Sequence, residues 1–166
     1  MEDLEPFPDR PEPGDVFTPG TFWINTTDSI VGNERLPHAI CAHVTARVTA
    51  SSAAGEGRSE WVADLGGGCT TMLRGDHAPG DNTLHGCLMW DRYLWTDYRT
   101  EPTGRLLLVS RAGFITQRCA HIPTQRSGWF VSDHNGPLLY IPTDDDIPDS
   151  HDVRFNVLLV ETTNAQ

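Results

Sequence analysis

From Ile40 to Ala50 apolar and polar residues alternate without a break. Ile40, Ala42, Val44, Ala46, Val48 and Ala50 fall on one side of an extended chain, and Cys41, His43, Thr45, Arg47 and Thr49 on the other. Side chains two apart on a strand share a face, so residues 38–50 predict a strand that covers a core on one side only. Val153, Phe155, Val157 and Leu159 repeat the pattern near the end of the chain. Shorter apolar runs predict strands at 21–25, 60–65, 69–74, 84–95, 105–117, 128–132, 138–141 and 153–162, with the small and charged run 51–59 as a hairpin loop. In 84–95 the apolar face is Leu84, Leu88, Trp90 and Leu94, which puts His85 and Cys87 opposite it. Gly66-Gly67-Gly68 reads as a bulge, or as a sharp bend that turns one sheet onto another.

No segment sustains a helical period. The fold expected is therefore all-β: a single-domain antiparallel β-barrel or β-sandwich over residues 21–166, with helix confined to single turns. Residues 1–20 contain five prolines and predict an extended N-terminal arm that cannot fold alone. Its two phenylalanines, Phe7 and Phe17, are the natural anchors for laying it on a surface.

Charge sharpens this division. The chain of 166 residues carries a formal net charge of −11. Residues 1–20 hold six acids against Arg10, and 144–152 hold five aspartates and no arginine. The body between them is nearly neutral. Within it, residues 98–126 carry Arg99, Arg105, Arg111, Arg118 and Arg126 against Glu101 alone, a local excess that attracts an anionic partner or the protein's own acidic segments. All 12 basic residues are arginine, which points to coding bias in a GC-rich genome, bacterial or phage. It also excludes lysine chemistry such as a Schiff base or a P-loop. No run approaches the roughly 18 apolar residues of a membrane helix. The acidic, proline-rich start is the opposite of a signal peptide, so a cytoplasmic location with reduced thiols is expected.

The chemistry most visible in the chain lies in its cysteines. Three of the four stand two residues from a histidine: Cys41–His43, His85–Cys87 and Cys119–His121. On a strand each pair presents thiol and imidazole on one face, and any two pairs would complete a Cys₂His₂ set for zinc. Structural zinc sites usually draw their pairs from tight turns, so the competing reading is reduced cysteines packed as small apolar groups beside surface histidines. Asp144-Asp145-Asp146 lacks the alternate spacing of a calcium loop and reads as a solvated acidic loop. Asp76–His77 and Asp133–His134 are adjacent residues whose side chains point apart on a strand. No nucleophile elbow, phosphate-cradling loop or His-Glu-x-x-His helix is present, and no catalytic group is identified.

The expected function is a non-enzymatic β domain that mediates protein–protein contacts, as an assembly component, an adaptor or an inhibitor of a cationic partner. Its partner would be another protein or a second copy, contacted through Phe7, Phe17, Arg105, Arg111 and Arg118, with a structural zinc as its only cofactor. The alternative is a barrel that binds single-stranded nucleic acid or a small ligand, with any catalysis in its mouth.

Overall fold

The period-2 pattern of residues 38–50 becomes a strand only from Ala42: β5 spans Ala42–Ala50, and His38–Ile40 form a single 3₁₀ turn after Pro37. The computed structural model describes residues 11–52, 59–91 and 93–163. Besides β5, its first half contains β1 (Val16–Phe17), β2 (Thr21–Asn25), β3 (Ser29–Val31), β4 (Glu34–Arg35), β6 (Trp61–Asp64), β7 (Thr70–Leu73) and β8 (Gly80–Trp90). Strands β2, β7, β6, β5 and β8 close, in that order, into a barrel. Four of its five pairings are antiparallel, and β2–β7 is parallel. A ring with an odd number of strands cannot alternate direction throughout, so one parallel seam is unavoidable.

Every strand of the barrel contributes to one apolar cluster of Trp23, Ala46, Val48, Ala63, Leu73 and Leu84, with Val44, Trp61 and Leu88 packed against it. This is the filled interior. A second cluster, Phe22, Ile24, Met72, Leu36 and Leu94, lies on the opposite faces of the same strands and is joined by Cys41, Cys87 and Met89. β8 pairs with β5 up to Gly86 and with β2 from Gly86 onward, so this glycine sits where one strand serves two neighbours. Gly66-Gly67-Gly68 is not a bend between sheets. It is the turn of the β6–β7 hairpin, all three residues adopting positive φ, with the Gly66 amide donating to Asp64.

The second half forms an open sheet around β9 (Arg105–Pro123), a strand of 19 residues. β11 (His151–Thr163) runs along one edge of β9, while β10 (Phe130–Pro142) and β1 share the other. The runs expected at 128–132 and 138–141 are one strand. Gly136-Pro137 forms a bulge between Asn135 and Leu139 that absorbs what reads in sequence as a break, and β10 is bonded only to β9, where an edge strand tolerates proline. Among the described residues α-helix is limited to α1 (Leu94–Asp97), and the strand expected at 84–95 ends at Trp90. The all-β expectation holds, as a barrel with an attached sheet.

The second half of the arm is built into this sheet. β1 pairs with Leu106 and Leu107 of β9, Phe17 packs on Trp90 with ring centroids 5.2 Å apart, and Arg111 donates to the Pro11 carbonyl and to Glu12. Phe7 lies outside the described residues.

Candidate metal centre

The barrel register brings two of the three Cys/His pairs together. β5 and β8 are antiparallel with His43 directly opposite His85. Their rings stack at 3.8 Å and 11°, with His38 a further neighbour at 6.5 Å from His85. Desolvation first, then the approach of His43 and His38, lowers the pKa of His85. Just past the end of that ladder at Ala42 and Gly86, Cys41 and Cys87 pack on the Phe22–Met72 cluster. The Cys41 thiol donates to the Pro37 carbonyl at 3.4 Å, and burial raises its pKa. Burial, and then the adjacent Cys41, pushes Cys87 up to about 12.

Like thus meets like across the ladder, thiol beside thiol and imidazole on imidazole. Among the described residues, no three of these four bring their ligand atoms within 4.8 Å of one another. The two thiols are drawn into the apolar cluster while the two imidazoles stack on each other, so the pairs do not converge on one point.

Cys119 and His121 belong to the other sheet, on β9. There the thiol gathers partners that the sequence does not advertise. His134 of β10 is directly opposite Cys119, and Asp152 of β11 is opposite Gln117, the next residue on the same face. The ligand atoms of Cys119, His134 and Asp152 all lie within 4.8 Å of one another. His134 Nε2 and Asp152 Oδ2 are 3.0 Å apart. Cys119 is buried, and its thiol hydrogen-bonds to the Asp152 carboxylate. That bond first, then burial, raises the thiol's pKa. The same bond, with His134 and His121 nearby, lowers that of Asp152. His121 stands one pair further along the same face, opposite Ser132. A protonated thiol whose carboxylate neighbour also occupies the histidine is unsuited to nucleophilic attack. Its donor set, S, N and O from three adjacent strands, suits a divalent borderline metal.

Of the arginines expected at a partner surface, Arg111 is engaged by the arm, while Arg105 and Arg118 are exposed on β9. Sequence reasoning missed His134 and Asp152. His134 was set beside Asp133, which points the other way, and Asp152 was counted with the acidic loop. No family model, no curated protein and no solved structure matches the chain.

Proposed function

We propose that this is a non-enzymatic assembly domain that binds a second copy of itself through the tip of the β9–β10 hairpin. One observation carries the reading. At that tip Ile122, Trp129, Phe130 and Val131 are 50%, 57%, 59% and 58% exposed, a concentration of large apolar side chains that isolated domains seldom leave in water. Arg126 lies over the Trp129 ring at 4.6 Å, and tryptophan with arginine is the commonest anchor composition of protein interfaces. Ile122 and Val131 are cross-strand partners, so they present one continuous apolar step.

Charge selects the occupant. The hairpin belongs to the arginine-rich stretch 98–126, and the same chain carries exposed aspartates at 144, 145, 146 and 149. An aromatic tip that carries Arg126 meeting an acidic loop is a head-to-tail contact, which propagates into rings or chains. In sedimentation experiments the intact chain is expected to form concentration-dependent species larger than a dimer. Trp129→Ser should weaken that association by about 30-fold, since an anchor of this kind contributes about 2 kcal/mol, and adding Phe130→Ser should weaken it further. An intact chain that stays monomeric at every attainable concentration would overturn the proposal.

A second reading rests on a different observation. A cavity of about 1010 Å³ lies between the barrel, at Val44, Leu88 and Met89, and the long sheet, at Leu106, Phe155 and Val160. Its volume and apolar lining suit a small ligand. On this reading an apolar fluorescent probe binds saturably at one per chain, and a chain that takes up no probe would exclude it.

A further inference from the structure

We propose that Cys119, His134 and Asp152 form a binding site for a zinc-class divalent cation that ties β9, β10 and β11 together. The site is distinct from the Cys-x-His pairs that the sequence displays, and it stands independently of the assembly reading.

The argument begins with strand geometry. A directly opposed pair on an antiparallel ladder has Cβ atoms about 4.5–5.5 Å apart, close enough for two side chains to share one ion. Cys119 and His134 are such a pair. Asp152 reaches the same point from the other edge of β9, and the three ligand atoms already lie within 4.8 Å of one another. Closing them to the spacing of a tetrahedral shell takes side-chain adjustment of about an ångström, with no change in register. In the absence of an ion the three groups satisfy one another. Asp152 accepts from the Cys119 thiol and contacts His134, so the donors are held in place.

Binding exchanges these contacts for metal bonds. The cation takes the sulfur lone pair as the thiol proton is released to solvent, and the His134 Nε2 lone pair and an Asp152 carboxylate oxygen complete three positions. Two further observations support the fourth. His121 lies on the same face, exposed and one pair nearer the tip. Gln117 is buried directly opposite Asp152. Its Nε2 donates to the Gly136 carbonyl at 3.0 Å, and its Oε1 is a buried acceptor with no hydrogen-bond partner. An orphaned acceptor of that kind beside a three-ligand set is suited to a metal-bound water. Such an ion would clamp the sheet at the base of the exposed hairpin.

The test uses the full chain and Co²⁺ as a spectroscopic stand-in for zinc. Titration of metal-free protein is expected to develop a thiolate-to-cobalt charge-transfer absorption that saturates at one equivalent and is displaced by zinc. Cys119→Ser should remove that absorption, and Cys41→Ser with Cys87→Ser should leave it intact. Asp152→Asn, which keeps the side chain's size and the fold, should weaken binding by at least the about 10–100-fold that even a supporting contact commands. Circular dichroism of each variant identifies any that fails to fold, and Asp152→Asn then decides. A chain that gives no charge-transfer absorption overturns the proposal. So does absorption that survives Cys119→Ser or disappears in the Cys41/Cys87 variant.

Discussion

Alanine in place of Gly86 is expected to destabilise the barrel by about 3 kcal/mol or more. A Cβ at this position would stand 1.8 Å from the Ile24 carbonyl oxygen, 2.8 Å from its carbonyl carbon and 3.0 Å from the Asn25 Cα. All three are backbone atoms of β2, so no side-chain rotation relieves the overlap. β8 pairs with β5 through Ala42 and with β2 through Asn25 at this same residue. Moving β2 away would therefore open the ring at the strand that carries Phe22, Trp23 and Ile24. The comparison is Gly66→Ala, where no atom lies within 4 Å of the added carbon and only φ, at +92°, is unfavourable. That variant should lose about 1–2 kcal/mol. Urea unfolding of the two separates steric closure from backbone strain. Equal losses would mean that β2 can yield without cost and that the seam at Gly86 is looser than described.

The second large effect is an alkaline loss of stability to which the buried thiol of Cys87 contributes most. Cys87 ionises near 9.0 when solvated, and burial followed by Cys41 moves it up to about 12 in the folded chain. Below pH 9 both folded and unfolded states keep the proton, and the contribution is fully present. Between pH 9 and 12 the unfolded chain has released a proton that the folded chain retains. Raising the pH therefore favours unfolding, and the contribution is lost as pH passes the folded value. At about 1.4 kcal/mol per pH unit the difference amounts to about 4 kcal/mol. Cys87→Ala should cost about 1 kcal/mol at neutral pH, from lost packing on the Phe22 cluster, and should remove most of this alkaline slope. Tyr98, raised chiefly by burial, titrates in both proteins, so the difference between the two curves isolates the thiol. Parallel curves would show that Cys87 is solvated in the folded state.

The thiol of Cys87 and the stacked imidazoles of His43 and His85 show how far local pattern reaches. Alternation is a property of neighbouring residues, since successive side chains on a strand must point to opposite faces. The strandedness of 42–50, 153–159 and 21–25, and the lack of long helices among the described residues, were legible for that reason. Strand ends were less so, because Pro37 holds His38–Ile40 in a 3₁₀ turn and a bulge carries β10 through Gly136-Pro137. Which pair faces which was not legible at all. Register joins residues far apart in the chain, 15 positions for Cys119 and His134 and 42 for His43 and His85, and it decides every cross-strand neighbour. It placed His43 on His85, set Cys41 beside Cys87, and gave Cys119 the distant His134 and Asp152 in preference to His121, two residues away. Neighbours along a strand are about 6.6 Å apart and neighbours across it about 4.5–5.5 Å. The sequence alone could therefore name the residue types of a metal site, and only the tertiary pairing could say which three stand close enough to share an ion.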